Sequence, residues 1–342
     1  MDCRLRVGVV GAGVVTERRH ILAINGVPEV RASIVVDKDG ERARHVAELY
    51  GFPHWSTNLE DVVHGSDFAI VAVPNGLHAE VSCQLLSQGI PVLCEKPMAR
   101  TVEECLAMVE AARRGKAPLA IGHNRRYLEH IRLARQLLQK GLIGEVQNVQ
   151  AEEGSPTDWP RSPSFFDPQL SGGGALMDVG IHSIDLIRWL VGEFEQVEYS
   201  GNGTPQSVES EAELRFRLST GATGCVMASR TRDLKQKITF EGRDGFLEVG
   251  LWDPSLGIRC TKGKAFQNFP RLNAYVPRRP PQDSSFVDQL HHFVSALRGQ
   301  EELLVTGEEG MAAVSAVCRA YSGAAPLSPA RPVGAFTSVS PT

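Results

Sequence analysis

The sequence predicts a two-domain α/β protein, with a doubly wound parallel sheet in the first domain and a large open, mainly antiparallel sheet in the second. The 342 residues are enough for two domains with separate cores. Up to residue 122, short apolar segments alternate with segments of helix length, as in parallel strands joined by crossover helices. Beyond residue 122, segments with one apolar and one polar face predict antiparallel strands.

The first domain is predicted over residues 1–122. Its strands are expected to be nearly all apolar, because helices cover both faces of such a sheet. The predicted strands are Leu5–Val10, Ala32–Val36, Asp67–Val73, Pro91–Cys94 and Leu119–Ile121. The helices predicted between them are Glu41–Tyr50, His78–Gln88 and Val102–Arg114.

The second domain is predicted over residues 123–330, and a tail over 331–342. Its predicted helices are Arg126–Lys140, Ala175–Val191, Phe286–Leu297 and Glu308–Tyr321, with a strand over Glu145–Glu152. The clearest later strand alternates between an apolar face of Ala212, Leu214, Phe216 and Leu218 and a charged face of Glu211, Glu213, Arg215 and Arg217. The charged face predicts pairing with a second subunit, and the alternative is a solvated sheet face.

Charge and composition exclude several classes of function. The chain has 36 Lys+Arg against 40 Asp+Glu and a net charge of −4, and the absence of a basic block argues against a nucleic-acid or anionic-membrane partner. The apolar runs are too short to span a bilayer, and the N-terminus shows no signal peptide, so we expect a cytoplasmic protein. The seven cysteines never occur as C-x-x-C, which favours reduced thiols and no metal site.

A glycine-rich turn, GVVGAGVVT at residues 8–16, follows the first strand. Such a turn lets the backbone approach a pyrophosphate at the N-terminus of the next helix. The candidate cofactor contacts in it are Gly11, Ala12, Gly13, Val14 and Val15. The third position of the dinucleotide motif holds Thr16 in place of a small residue, and a purely structural turn is the alternative.

Asp37 ends the second predicted strand and is the candidate contact to an adenosine ribose. A carboxylate at this position accepts a hydrogen bond from the ribose 2′-hydroxyl and repels a 2′-phosphate. The sequence therefore predicts NAD as the cofactor, with NADP possible because Lys38 and Arg42 are nearby cations. The other interpretation of Asp37 is a helix cap.

Ligands of an open parallel sheet bind beyond the carboxyl ends of its strands, so the residues there are further candidates. Pro74, Asn75 and His78 are predicted to lie at the cofactor, although Asn75 could instead cap the next helix. Glu95 and Lys96 follow the next strand and are also predicted to contact the cofactor. The Lys96 ammonium can hydrogen-bond a substrate oxygen on which negative charge develops, and the alternative is a surface lysine paired with Glu95.

The helix predicted over residues 175–191 places Asp178, His182, Asp185 and Trp189 on one face. Apolar side chains occupy the opposite face, which is expected to pack on a core. A histidine oriented by a carboxylate is suited to accept a hydroxyl proton. We therefore predict that Asp178 orients His182, and the alternative is an ordinary amphipathic helix with a solvated face.

Four further residues are candidates for contact with a substrate. Arg125 and Tyr127 lie at the junction of the two predicted domains, where a structural ion pair is the alternative role for the arginine. Trp159 and Arg161 lie in the Gly/Ser/Pro-rich loop before the GGG sequence. An indole ring there can stack on a sugar, and a guanidinium can bind a phosphate or carboxylate.

These motifs together resemble the Gfo/Idh/MocA family of NAD(P)-dependent sugar and polyol oxidoreductases. The segments that carry the resemblance are GVVGAGVVT, VVD, PNGLH, CEKP, HNRRY and GGGALMDVGIHSIDLIRWLVG. The resemblance implies an N-terminal Rossmann domain and a C-terminal domain for substrate binding and oligomerisation, in a homodimer or homotetramer. It places the family's catalytic residues on Lys96, Asp178 and His182.

The activity that the resemblance implies is reversible oxidation of a secondary alcohol on a small sugar, inositol or related polyol. In this hypothesis His182 takes the hydroxyl proton, Lys96 hydrogen-bonds the same oxygen, and Asp178 orients His182 and the substrate. The alternative is a catalytically inactive nucleotide-binding regulator on the same fold. The presence of all three residues argues against that alternative.

Overall fold

The computed structural model describes residues 3–156, 165–204, 207–252, 256–260 and 281–323. In chain order, its strands are β1 Leu5–Val10, β2 Val30–Val36, β3 His54–Ser56, β4 Phe68–Val71, β5 Val92–Cys94, β6 Leu119–Ile121, β7 Val146–Gly154, β8 Phe194–Gly201, β9 Glu211–Leu218, β10 Thr223–Ser229, β11 Lys237–Gly242, β12 Gly245–Gly250 and β13 Leu256–Cys260.

The α-helices are α1 Ile21–Gly26, α2 Gly40–Tyr50, α3 Glu60–Gly65, α4 His78–Ser87, α5 Val102–Gly115, α6 Glu129–Gln139, α7 Pro168–Ser171, α8 Ile181–Leu190, α9 Pro281–Leu297 and α10 Gly307–Ser322. Two π-helical turns, Thr16–His20 and Leu176–Gly180, run directly into α1 and α8. Two 3-10 turns, Asn75–Leu77 and Asn124–Tyr127, follow β4 and β6. Among the described residues, no helix is long and apolar enough to span a membrane.

The first sheet is parallel, with the strand order β3-β2-β1-β4-β5-β6. This is the order of a doubly wound dinucleotide-binding fold, and it confirms the predicted class. All side chains of β4 and β5 are buried, which is why these strands are apolar throughout. The order reverses between β1 and β4, and a ligand-binding crevice forms at the carboxyl ends of the strands around that point.

The sequence pattern does not predict β3 or α3. Two of the three residues of β3 are exposed at the edge of the sheet, and Val62 is the one buried residue of α3. Neither element therefore has the apolar periodicity by which the others are recognised.

The second sheet has seven strands in the order β13-β12-β11-β7-β10-β9-β8. Only the pair β7 and β10 is parallel, and the other pairs of this described sheet are antiparallel. On β9, Ala212, Leu214, Phe216 and Leu218 are all buried, as predicted. The opposite face exposes Arg215 and Arg217. The prediction of a mainly antiparallel sheet is confirmed.

The C-terminal helices connect the two sheets. Phe293 of α9 packs edge-on against Phe68 of β4, with 5.6 Å between ring centroids, and lies in the same hydrophobic cluster as β1 side chains. After α9, the chain pairs with β6 through Ala120 and Thr306. Helix α10 then packs against both α5 and α8. The last part of the chain thus returns to the first sheet and joins it to α8, which carries His182 and directly follows the π-helical turn that carries Asp178.

Candidate active site

The glycine-rich turn is shaped by close backbone contact. Gly11 has φ = +101°, and a Cβ there would lie 2.3 Å from the carbonyl oxygen of Ala72, so only glycine fits. A Cβ on Gly13 would meet no atom within 4 Å, which leaves space beside the turn. Thr16 is fully buried, and its hydroxyl donates to the Gly11 carbonyl oxygen at 2.5 Å. The threonine therefore braces the turn at the position where the motif usually has a small residue.

Asp37 is held against this turn. Its Oδ2 accepts a hydrogen bond from Ala12 N at 2.8 Å, and its Oδ1 accepts one from Asp39 N at 2.9 Å. The cap of α2 is Asp39, which accepts from Arg42 N, so the interpretation of Asp37 as the helix cap is wrong. Arg42 Nη1 lies 4.0 Å from Asp37 Oδ2, which brings a cation close to the predicted ribose contact.

The residues after β4 tie separate loops together. Asn75 Nδ2 donates to the carbonyl oxygen of Ser171 at 3.0 Å and makes no capping bond at the following helix, so the capping interpretation is wrong. The ring nitrogens of His78 lie 2.7 Å from Pro97 O and 2.9 Å from Val73 O. Burial lowers the pKa of His78. Both side chains therefore fix the loops around the strand ends.

Glu95 and Lys96 diverge after β5. Glu95 Oε1 lies 2.9 Å from Nε2 of His20. Burial opposes ionisation of Glu95, but the contacts with His20 and the charge of Lys96 outweigh burial and lower its pKa. Lys96 Nζ reaches across to Asp178 and donates to its carbonyl oxygen at 2.7 Å and to Oδ1 at 3.1 Å. The alternative of a surface lysine paired with Glu95 is wrong.

The GGG sequence brings the next helix close to Glu209. A Cβ on Gly174 would lie 2.0 Å from the carbonyl oxygen of Glu209. The buried Glu209 carboxylate accepts hydrogen bonds from Gly174 N and Leu176 N, each at 3.0 Å, and from the Tyr321 hydroxyl at 2.7 Å. A carboxylate is favourable at a helix N-terminus, where backbone N–H groups lack intrahelical partners. Glu209 thus anchors the start of the segment that carries Asp178 and His182.

A π-helical turn separates Asp178 from His182. Asp178 lies within the turn Leu176–Gly180, whereas His182 lies in α8. A π turn changes the angular spacing of side chains from that of a regular α-helix. The Asp178 carboxylate contacts Lys96 and lies 3.4 Å from Arg230 Nε. Nδ1 of His182 has no hydrogen-bond partner among the described residues, and the orientation of His182 by Asp178 stays a prediction.

His182 lies in an electropositive, buried position. Burial lowers its pKa well below 6.5, and the nearby charges of Arg125 and Lys96 lower it further. Its Nδ1 has no hydrogen-bond partner among the described residues, and its ring packs edge-on near His123 at 6.4 Å between centroids. The imidazole is therefore neutral at physiological pH, as a proton acceptor must be.

Asp185, which the sequence places on the same helix face as His182, has a structural role. It lies on the buried helix α8 and accepts hydrogen bonds from Arg126, at 2.9 Å and 2.5 Å. Arg126 also donates to Glu309 of α10 at 2.7 Å. The contacts with Arg126 and His123 hold the pKa of Asp185 down despite its burial. This ion-pair cluster joins α8 to the junction of the two sheets.

The predicted substrate contacts have three different outcomes. Arg125 lines the cavity described below, but both of its terminal nitrogens bind Glu153, Nη1 at 2.7 Å, as the alternative of a structural ion pair predicts. Tyr127 is buried against His292 and is not among the described residues that line the cavity, so its substrate contact stays a prediction that the cavity does not support. Trp159 and Arg161 lie outside the described residues.

One cavity of about 550 Å³ lies between the two sheets, within the size range of small-molecule sites. The predicted site residues that line it are Val15, Asn75, His78, Glu95, Lys96, Arg125, Asp178 and His182. The other predicted cofactor contacts, Gly11, Ala12, Gly13, Val14, Pro74 and Asp37, belong to the turn and strand ends beside it. The cavity thus connects the glycine-rich turn with Lys96, Asp178 and His182.

These residues fit a dinucleotide. The turn around Gly11 and Gly13 leaves room beside the backbone, and the Asp37 carboxylate is fixed next to it. Arg18 and Arg19 follow the turn and line the cavity, where guanidinium groups can bind phosphate charge. The cavity then continues to Lys96 and His182, so a cofactor bound at the turn has a path to the proposed proton acceptor.

Sequence reasoning did not identify Glu153, Glu209 or Arg230. Glu153 is the penultimate residue of β7 and lies in the cavity wall with Arg125. Glu209 precedes β9, and Arg230 follows β10. Each is a charged residue at or beside the end of a strand of the second sheet. Exposed charged residues are common at such positions, so the sequence does not distinguish these three from surface residues. Their burial depends on the packing of α8 on the second sheet, and no local sequence pattern reports it.

Comparison with known proteins agrees with this architecture. Residues 5–123 match the model of an oxidoreductase family with an NAD-binding Rossmann fold, and residues 131–265 match the GFO/IDH/MocA C-terminal domain. A levoglucosan dehydrogenase from Pseudarthrobacter phenanthrenivorans is 29% identical over 69% of this chain and 70% of its own length. An inositol 2-dehydrogenase from Rhizobium meliloti is 24% identical over 91% of this chain and 94% of its own.

A solved structure shows the same fold. The structure of levoglucosan dehydrogenase in complex with NADH and levoglucosan superposes with a TM-score of 0.83 and 23% sequence identity, covering 94% of this chain and 98% of that one. The two family models together span most of the chain, and each matches one of the two sheets described above. The chain therefore belongs to the Gfo/Idh/MocA family of oxidoreductases, with an NAD-binding Rossmann fold in its N-terminal half.

Proposed function

We propose that this protein is an NAD-dependent dehydrogenase that interconverts a secondary alcohol and a ketone on a sugar, inositol or related polyol. The observation that carries the proposal is that Lys96, Asp178 and His182 line one cavity. Arg18 and Arg19, which follow the glycine-rich turn, line the same cavity. The names of the two relatives, a levoglucosan dehydrogenase and an inositol 2-dehydrogenase, support the substrate class.

The proton acceptor in this proposal is His182. Bound NAD supplies the hydride acceptor at its nicotinamide ring. The neutral imidazole of His182 takes the proton of the substrate hydroxyl through its unprotonated ring nitrogen. Burial and the charges of Arg125 and Lys96 keep this ring neutral before the reaction.

Lys96 and Asp178 position the substrate oxygen. Lys96 Nζ is held by two oxygens of Asp178 and retains a third N–H that can donate to the substrate oxygen. A positive charge fixed at that oxygen stabilises the negative charge that develops as the carbonyl forms. Asp178 thus acts through Lys96, and the His182 ring is placed by the packing of α8.

The central test is turnover by the purified protein. A panel of hexoses, glycosides and inositols is incubated with NAD or NADP, and formation of the reduced cofactor is followed by absorbance. We expect turnover of at least one sugar or polyol, and no turnover by Lys96→Ala. Binding of NADH without turnover of any sugar or polyol would favour the catalytically inactive regulator.

We further infer that the protein works in the cytoplasm as a homo-oligomer without a nucleic-acid or membrane partner. The support for an oligomer is the face of β9 that exposes Arg215 and Arg217 beside the partly buried Glu211 and Glu213. Such alternating charges on an exposed sheet face can pair with a symmetry-related copy.

A further inference from the structure

Arg230 is a buried arginine in the wall of the cavity. Its side chain is 6% exposed, and its guanidinium carbon lies 3.9 Å from the centroid of the Phe165 ring. Its nearest carboxylate oxygen is Asp178 Oδ2, at 3.4 Å from Nε. That approach does not form a hydrogen bond, and no other described residue accepts a hydrogen bond from the Arg230 side chain.

This arrangement is costly without a ligand. A buried charge is stable when it is both paired and hydrogen-bonded, and a guanidinium has five N–H donors to satisfy. The carboxylate nearest to Arg230 already accepts a hydrogen bond from Lys96. By contrast, the neighbouring Arg125 has both terminal nitrogens bound to Glu153. Arg230 is therefore the arginine in this wall whose donors remain for a bound molecule.

The charges around the cavity also favour an anion. The cations that line the cavity are Arg18, Arg19, Lys96, Arg125 and Arg230, and the carboxylates are Glu95, Glu153 and Asp178. His182 adds no charge because it is neutral. The described lining thus has two more positive than negative groups, and Arg230 presents the planar donor fork that binds carboxylate and phosphate oxygens.

We propose that the substrate is an anionic sugar derivative, bearing a carboxylate or a phosphate ester, and that Arg230 binds its oxyanion. This inference rests on the proposed dehydrogenase function and narrows its substrate class. The anion would lie against the Arg230 guanidinium, which stacks on Phe165, and the reacting hydroxyl would lie between Lys96 and His182. Arg230 then determines specificity and takes no part in the proton transfer.

The test compares matched substrates. The value of kcat/KM is measured for D-glucuronate against D-glucose, for D-galacturonate against D-galactose, and for glucose 6-phosphate as the phosphate arm. The variants are Arg230→Met, which removes the charge, and Arg230→Lys, which keeps the charge without the fork. Arg232→Met is the matched control, because Arg232 lies two residues further on, is 48% exposed and pairs with Glu211.

We expect the wild-type protein to prefer an anionic sugar over its neutral counterpart. Losing a charge-assisted hydrogen bond changes binding by about 10- to 100-fold, so Arg230→Met should lower the ratio of the two kcat/KM values by about that factor. The ratio cancels any loss common to both substrates through Asp178. Arg230→Lys should retain part of the preference, and Arg232→Met all of it. A ratio that Arg230→Met leaves unchanged overturns the proposal.

Binding without turnover separates this proposal from the proposed function. The NADH-loaded protein is titrated calorimetrically with D-glucuronate, D-galacturonate and glucose 6-phosphate. Binding that is lost in Arg230→Met supports the anion site even if no sugar is oxidised, in which case the dehydrogenase proposal fails alone. If none of these anions binds, the Arg230 proposal is overturned whether or not neutral sugars are turned over.

Discussion

Replacement of Glu209 by glutamine tests whether the helical segment that carries Asp178 and His182 is held at its start. The carboxylate accepts two backbone N–H groups, Gly174 N and Leu176 N, and the Tyr321 hydroxyl. Glutamine has the same shape but presents an NH₂ group in place of one acceptor oxygen. One of these donors then faces another donor in a buried site.

The expected loss of stability follows from these contacts. Hydrogen bonds to a charged group contribute about 1.5–3 kcal/mol each, and an unpaired buried donor costs about 1–3 kcal/mol. Since Glu209→Gln affects one oxygen of two, we expect unfolding free energy to fall by about 2–4 kcal/mol. We also expect kcat to fall because the segment that carries Asp178 and His182 is no longer fixed, whereas the affinity for NADH should be retained.

Urea denaturation followed by fluorescence measures the stability, and steady-state kinetics measure kcat. Glu110→Gln is the matched control, because Glu110 pairs with Arg113 on an exposed face of α5 and its loss should change neither quantity measurably. Reduced stability with an unchanged kcat would show that Glu209 supports folding alone. A denaturation midpoint and a kcat both equal to those of the wild type would refute the reasoning.

Four further predictions concern the site and the assembly. His182→Ala should lower kcat by about 10²–10⁴-fold, with His64→Ala on the exposed part of α3 as the control. Because the pKa of His182 is lowered well below 6.5, wild-type kcat/KM should be constant from pH 6.5 upward and should fall only at pH values well below 6.5. Wild-type kcat in His182→Ala would assign the base to another group. Lys96→Ala should abolish turnover while NADH affinity, measured by fluorescence titration, stays within a few fold, and a large loss of affinity would contradict the assigned role. Asp37→Ala should narrow the preference of kcat/KM for NAD over NADP, and equal values in the wild type would contradict the ribose assignment. Light scattering at micromolar concentration should give a dimeric or tetrameric mass, and a monomeric mass would exclude the β9 interface.

The fold was predictable because its signals are local. Buried parallel strands must be apolar throughout, and the strand 68–71 is buried at every position, so composition alone predicts it. The turn at Gly11 requires a positive φ and close approach to Ala72, which a glycine in that position indicates. The return of α9 to the first sheet has no local signal, because its apolar residues are equally suited to either core.

The site was only partly predictable, for a related reason. Lys96, Asp178 and His182 stand out through motif and resemblance, and all three line the same cavity. Their mutual contacts depend on the backbone between them. The π turn that contains Asp178 changes the angular spacing of the side chains around it, and a helical wheel with a uniform angle per residue cannot represent that change. Asp185 lies in the same α-helix as His182, but its partner is Arg126.

Asp178 and His182 have separate tasks in the proposed mechanism. If Asp178 contacted His182, its negative charge would raise the pKa of the imidazole and favour the protonated form, which cannot accept a proton. With its carboxylate directed to Lys96 and Arg230, Asp178 instead fixes Lys96, the cation that is proposed to face the substrate oxygen. The charges nearest His182 are then those of Arg125 and Lys96, which keep it neutral. The proposed mechanism therefore has both a fixed cation for the developing negative charge and an unprotonated base beside it.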